Sequence, residues 1–209
     1  MFDQIELGRE FFEMLMAVDE QILEHAAAGK CRFCGGPLHR GDFLRKPRGG
    51  TVAAAGEIFS RRFSLCCGRE GCRHRATPPS VRFLGRRVYL GAAVIAASVI
   101  ALAAATARAC QRTTGISAKT LRRWLRWWRG PFTTTAVFVE LSSRILPGIS
   151  LTTLPTSLLA QFAGDASSRI GALLAWLTPL TTISSPDGSR FVRSLALGAT
   201  TSAFTQKMP

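Results

Sequence analysis

Residues 88–129 read VYLGAAVIAASVIALAAATARACQRTTGISAKTLRRWLRWWR. The first 20 positions, 88–107, carry no charge, which satisfies the length criterion for a membrane-spanning helix. Nine of those positions are alanine, and Gly91, Ser98 and Thr106 dilute the run further. Alanine contributes little to insertion, and basic residues flank both ends, so the charge pattern sets no orientation. An alanine-rich helix also suits a buried position where neighbours approach closely, and residues 115–131 favour that expectation. Gly115 supplies a turn, Ile116 an apolar anchor and Ser117 an N-cap. A second helix is expected over 117–129, stopped by Gly130-Pro131.

In that second helix Leu121, Trp124, Leu125 and Trp128 form an apolar stripe at helical spacing. Lys119, Arg122, Arg126 and Arg129 recur on another face, and Arg123 adds a fifth cation. One face is expected to pack and the other to carry positive charge, as a recognition helix in a major groove requires. These arginines would contact phosphates or read guanine, and the residues alone do not separate the two roles. A solvated basic face is the plainer alternative. The tryptophans read as core, since only Trp127 lies off the packing stripe.

The chain has 209 residues, 27 of them Lys or Arg and 13 Asp or Glu, for a net charge of +14. The excess is not spread evenly. Residues 1–29 hold seven acids and one base, 30–130 hold 21 bases and three acids, and 131–209 hold five bases and three acids. A polyanion is therefore the expected partner of the middle section, nucleic acid first and anionic lipid second. A hydrophobic content of 47% suffices for a core, and a charged content of 19% argues against a disordered chain. Residues 3–28 read as a packing helix with Phe11, Leu15, Val18 and Ile22 on one stripe, Asp3 and Glu6 near its start and Gly29 at its end.

Five of the six cysteines fall in residues 30–80, among many Gly, Pro and Arg. The first 29 residues are acidic and amphipathic, unlike a secretory signal, so metal binding is expected over disulfides. Cys31-Arg-Phe-Cys34-Gly-Gly is a C-x-x-C knuckle. Its spacing lets two thiolates hold one tetrahedral ion, and its glycines permit the turn. The second half, Cys66-Cys67-Gly-Arg-Glu-Gly-Cys72-Arg-His74, is less regular. Neighbours on an extended strand point to opposite faces, so only one of Cys66 and Cys67 is expected to ligate. Cys31, Cys34, Cys67 and Cys72 form the expected Cys₄ zinc site, with Cys66, His74 and His39 as alternative ligands. Four protein ligands leave no open position, so the Zn²⁺ would be structural. A basic loop around Arg45, Lys46 and Arg48 would project between the knuckles towards DNA. "EIFSRRFSLCC" (57–67) could form a strand with Phe59, Phe63 and Leu65 as its apolar members. Cys110 reads as a small core residue.

Beyond residue 130 the chain is apolar and broken by Pro147, Pro155 and Pro179, which suggests two or three short helices to residue 182. A loose Ser/Thr/Gly-rich tail is expected over 183–209. Carboxylate-type transposition chemistry needs three acids converging on metal ions. Only Glu140, Asp165 and Asp187 are available there, and each is more simply a cap or surface group. No phosphate-binding Gly loop, H-E-x-x-H or serine elbow occurs, so no catalysis is expected.

The run "RFSLCCGREGCRHRATPPSVRFLGRRVYLGA", the earlier "RKPRGG", and "TLRRWLRWWR" with the later "LPTSLLAQFAG" resemble a group of uncharacterised bacterial proteins. That group is similar to the zinc-ribbon and helix-turn-helix front end of insertion-sequence transposases. The resemblance spans roughly residues 31–178 and implies a DNA-binding protein of mobile-element origin. It places Cys31, Cys34, Cys67 and Cys72 at the ribbon ligand positions and 117–129 at the recognition helix. Two departures matter: the second knuckle has four residues between its cysteines rather than two, and no catalytic domain follows. An accessory or remnant protein is implied, working beside a separately encoded transposase.

The expected fold is mainly α with a small β zinc ribbon and a helix-turn-helix within a helical domain. Its parts are an N-terminal helix (1–29), a zinc-ribbon-like module (30–80), a helical domain (88–182) and the tail (183–209). The expected location is the cytoplasm, with the nucleoid. The rival expectations are an inner-membrane protein spanning at 88–107 with a cytosolic zinc module, and a zinc-scaffolded protein-interaction module.

Overall fold

The computed structural model describes residues 7–44, 57–84, 89–104, 106–144 and 148–182. Within them the chain is mainly helical, with small antiparallel sheets. Helix α1 (Arg9–Ala28) comes first. The expected start at Asp3 and Glu6 lies outside the described residues, and Glu10 is the acid in the first turn. Gly29 ends the helix in an extended rather than a left-handed conformation. The buried face comprises Phe11, Phe12, Leu15, Asp19, Ile22 and Leu23, while Val18 is half-buried. The stripe is thus wider than the apolar spacing suggested, and it includes a carboxylate.

Strands β1 (Leu38–Arg40) and β2 (Phe43–Leu44) pair antiparallel with β4 (Leu65–Cys67) and β3 (Arg61–Arg62), respectively. The register is unchanged from Leu38↔Cys67 to Leu44↔Arg61, so the two ladders are one hairpin interrupted at Gly41-Asp42. At the interruption the Ser64 N–H donates to the Asp42 carboxylate at 3.1 Å, and the Ser64 hydroxyl donates to the Gly41 carbonyl at 2.7 Å. Side chains there satisfy the backbone groups that the ladder leaves. Strand β5 (Arg75–Ala76) pairs with the other edge of β4. The segment 57–67 is therefore not one strand: Glu57–Ser60 is a 3₁₀ turn, followed by β3 and β4. Its apolar members Phe59, Phe63 and Leu65 are all buried. Leu23 of α1, Phe63 and Leu65 form a small cluster that seats the three-stranded sheet on α1.

A hairpin of β6 (Phe83–Leu84) and β7 (Tyr89–Leu90) leads into the helical body. That body contains α2 (Gly91–Ala103), α3 (Ala107–Thr114), α4 (Ala118–Arg129), α5 (Ala136–Arg144), α6 (Thr156–Leu159) and α7 (Ala166–Leu177). Helix α2 sits at its centre, against α3, α4 and α7, and buries most of its surface. This is where small residues matter: a Cβ on Gly91 would meet the Leu174 side chain at 2.5 Å. The uncharged run is not a single helix. Helix α2 takes 13 residues of it, and α3 starts a new axis behind the Thr106 cap. Among the described residues no helix is long and apolar enough to cross a membrane.

The large core joins α1 to these helices and includes Phe59, Phe83, Trp124, Trp128, Phe132, Leu173 and Trp176. Trp128 is fully buried, and its indole N–H donates to the Ser98 hydroxyl at 3.1 Å. Ser98 in turn donates to the Val94 carbonyl at 2.7 Å. The serine that breaks the apolar run is thus what allows a tryptophan to lie inside. Ser98→Ala is expected to leave that N–H unpaired and lower stability by about 1–3 kcal/mol, measured by urea unfolding. An unchanged midpoint would show that the bond contributes nothing net.

Residues 77–82 run between α1 and the C-terminal 3₁₀ turn (Thr178–Thr181). Pro78 and Pro79 have no N–H to give to a ladder, and side chains take up several of the segment's remaining backbone groups. The Ser80 N–H donates to the Thr181 hydroxyl (2.9 Å), the Val81 N–H to Asp19 (2.7 Å) and the Arg82 N–H to the Ser80 hydroxyl (3.1 Å). The Arg62 guanidinium donates to the Pro78 carbonyl at 2.7 Å. The Arg82 guanidinium donates to Asp19 at 2.6 Å, with both side chains almost wholly buried.

Candidate metal centre and basic helix face

The knuckle at 31–36 is closed by two backbone bonds, Gly35 N–H to the Cys31 carbonyl (2.7 Å) and Cys31 N–H to the Gly36 carbonyl (2.9 Å). Gly35 takes φ +67, a left-handed conformation that glycine adopts without strain. The second knuckle begins at the end of β4. There the Arg69 N–H donates to the Cys67 sulfur at 3.4 Å, and the Cys72 N–H donates to the Arg69 carbonyl at 3.2 Å. Two bonds tie the knuckles together: Gly68 N–H to the Pro37 carbonyl (2.9 Å) and Arg69 guanidinium to the Cys34 carbonyl (2.8 Å).

This closure brings the sulfurs of Cys31, Cys34, Cys67 and Cys72 within 4.8 Å of one another. Cys34 and Cys67 are 3.4 Å apart, and Cys31 and Cys72 are 3.8 Å apart. Tetrahedral zinc thiolates, at about 2.3 Å per bond, have sulfurs about 3.8 Å apart. The donor set therefore fits a tetrahedral metal ion. Gly36 lines the cluster so closely that a Cβ there would lie 3.1 Å from the Cys67 sulfur and 3.3 Å from that of Cys34.

The thiols also compete for protons. A backbone N–H from Gly36, helped by the neighbouring thiols against burial, lowers Cys34 to about 7. At Cys67 the Arg69 N–H pulls downwards, but burial and the three other thiols outweigh it and raise the group to about 12. At Cys72 the His74 N–H and the Cys67 thiol pull downwards, but the Cys34 thiol, burial and the Cys31 thiol outweigh them and raise the group. Held at this spacing, the four groups could all ionise only with a cation among them.

The alternative ligands lie elsewhere. Cys66 stands opposite His39 across the β1–β4 ladder, with its thiol directed at the Arg73 carbonyl (3.6 Å). The His74 ring lies tilted against Phe33. Cys110 is buried in the main core, as expected of a small apolar residue. Arg45, Lys46 and Arg48 lie outside the described residues.

The second feature is α4. Ser117 caps it by accepting from the Thr120 N–H, and Gly115 turns the chain at φ +66 between α3 and α4. Ile116 is buried between the two helices' ends, and Leu121, Trp124 and Trp128 form the packed stripe. Leu125 and Trp127 are half-buried. Lys119, Arg122, Arg126 and Arg129 are exposed, and Arg108 and Arg112 of α3 are exposed as well. Arg122, Leu125, Arg126, Arg129 and Gly130 line an open groove of about 450 Å³. Arg123 is exposed but turned to another side, where it donates to the Tyr89 hydroxyl at 2.8 Å. No acidic residue occurs between Glu70 and Glu140, and among the described residues none of the α4 cations is in an ion pair. The face therefore carries an uncompensated field.

The two C-terminal acids among the described residues have local partners. Asp165 caps α7 by accepting from the Ser168 N–H, a bond that also lowers its pKa, while Glu140 pairs with Arg144. Asp187 lies outside the described residues. No protein-family model, curated protein or solved structure matches the chain.

Proposed function

We propose that the chain is a DNA-binding protein of transposase-like, mobile-element origin that binds rather than catalyses. A structural zinc ribbon at 31–76 and a helix-turn-helix formed by α3 and α4 would be its working parts. The observation that carries this function is the α4 face, where Lys119, Arg122, Arg126 and Arg129 are exposed without acidic partners on a helix held by its opposite face. A short turn capped at both sides and a rigid, packed second helix suit insertion into a major groove. Arg108 and Arg112 extend the cationic surface onto α3, as phosphate contacts beside a groove require. The clustered thiols would hold Zn²⁺ with no open position, giving it a structural role. A nucleoid location and a separately encoded transposase as partner belong to the same proposal.

Duplex binding measured across salt concentrations, on protein with one zinc per chain, tests this. Affinity is expected to fall steeply as salt rises. Replacing Arg122 and Arg126 together by alanine is expected to flatten the log–log salt slope by about two and weaken binding roughly uniformly across sequences if both contact phosphate. A loss confined to certain sequences would assign them to base reading instead. Unchanged affinity and slope would rule out α4 as the contact.

A further inference from the structure

The tips of the two knuckles carry an exposed aromatic pair. Phe33 stands between Cys31 and Cys34 and is 55% exposed, and among the described residues no other Phe, Tyr or Trp is exposed. The exposed His74 ring lies against it, with ring centroids 3.6 Å apart and planes tilted by 42°. Between Cys72 and His74 the chain turns at Arg73, which takes a left-handed φ of +45. A non-glycine residue in that region is uncommon and is retained where surroundings enforce it. The rim is cationic. Lys30, Arg32, Arg69 and Arg73 are exposed, Glu70 is the acid within the second knuckle's sequence, and the Arg32 guanidinium lies over the Phe33 ring, 4.7 Å from its centre, as a cation that a stacking base would meet or displace.

We infer that the Phe33–His74 pair is a stacking platform for an unpaired nucleobase of a single-stranded nucleic acid, with Lys30, Arg32, Arg69 and Arg73 neutralising the flanking phosphates. The chemistry of the surface selects this partner. A purely apolar partner would meet one ring in a field of positive charge, and a plain polyanion would have no use for the ring. Single strands offer π-faces and phosphates together, whereas a base within a duplex already has both faces stacked. Rigidity adds to the case, because Phe33 is anchored at both sides by clustered cysteines and little ordering remains to be done on binding. The platform is separate from α4, so the two surfaces can succeed or fail independently.

The test uses the full zinc-loaded chain and a short oligothymidylate carrying one aminopurine reporter base, with the same strand annealed to its complement and an oligouridylate strand as further arms. The expected result is single-strand binding with quenched reporter emission, weakened at least about fivefold by Phe33→Ala. Metal content and duplex affinity should stay unchanged in that variant. Should Phe33→Ala lose its metal, Phe33→Tyr and Phe33→Leu decide, since tyrosine should retain binding and leucine lose it. Equal binding by those two variants, equal binding by Phe33→Ala and the unchanged protein, or no quenching with the unchanged protein would overturn the proposal. Single-strand binding without duplex binding by the unchanged protein would count against α4 and not against the platform, whereas loss of duplex binding in a metal-loaded Phe33→Ala would overturn the platform's separateness. Preference between the thymidine and uridine strands tells whether the natural strand is DNA or RNA.

Discussion

Cys67→Ser is expected to release the metal and unfold the sheet of β1, β4 and β5, while α2 to α7 keep their helical signal. The apolar cluster under that sheet is small: Leu23, Phe63 and Leu65, with a few half-buried neighbours. A core of that size does not hold a module of some 45 residues, which is why domains so small rely on metals or disulfides. Structural zinc supplies about 10–16 kcal/mol in isolated finger peptides near neutral pH, more than the whole stability of many domains. Cys67 is also the ligand whose loss reaches furthest, because it ends β4, pairs with Leu38 of β1 and lies nearest Cys34. Metal content, thiol reactivity and limited proteolysis check this together. Chelation of the unchanged protein should expose four protected thiols and open cleavage sites between 31 and 76. Cys66→Ser should retain its metal, since that thiol points at the Arg73 carbonyl. A Cys67→Ser protein that keeps one zinc per chain, or a Cys66→Ser protein that loses it, would refute the assignment of ligands.

Much of the site could be read locally because its chemistry is local. The C-x-x-C spacing points to Cys31 and Cys34, and the alternation of neighbours along a strand allows only one of Cys66 and Cys67 beside Cys72; that Cys67 is the one is visible only in the folded chain. Ser117, Gly115 and Gly130 mark the limits of α4 to within a residue, since caps and turns act over three or four positions. Other features depend on partners distant in sequence. The run at 88–107 has no Gly or Pro where it breaks, and α2 stops at Ala103 because Thr106 caps the next helix rather than because any residue ends the first. Arg123 shares α4 with the groove arginines, yet Tyr89 draws it to another side. The Phe33–His74 pair was hidden because its members lie 41 positions apart and neither looks unusual alone. An acid on an otherwise apolar helix face reads as a surface residue, so nothing local marks Asp19 as buried.

Asp19→Ala is expected to destabilise the fold by about 3–5 kcal/mol, the cost of leaving a buried charge without its partner. Asp19 accepts from the Arg82 guanidinium at 2.6 Å, the Ser80 hydroxyl at 2.5 Å and the Val81 N–H at 2.7 Å. Arg82 has little else to rely on. Its two terminal nitrogens have no hydrogen-bond partner among the described residues, and its guanidinium lies 4.3, 5.0 and 5.4 Å from the ring centres of Phe63, Phe83 and Phe59. Those ring faces attract a cation but do not neutralise it. Burial lowers Arg62 nearby to about 10; Asp19 opposes that shift and Arg82 adds to it. Removing Asp19 would thus strand two cations and two further donors in the interior. Urea unfolding followed by tryptophan emission measures the loss. Asp19→Asn separates the contributions, because the amide oxygen can still accept from Val81 while the charge is gone. A double replacement, Asp19→Leu with Arg82→Met, should recover much of the stability, since a buried pair exchanged for apolar groups is often neutral. A single-variant cost below about 1 kcal/mol would mean that the rings and bound water already carry Arg82. The cost matters beyond stability because of where the pair sits. Phe63 belongs to the cluster under the sheet that ends at Cys67, whereas Phe59 and Phe83 belong to the helical core. Arg82 touches all three, so Asp19 holds in place a side chain that packs against both cores, and with it the position of the knuckles relative to α4.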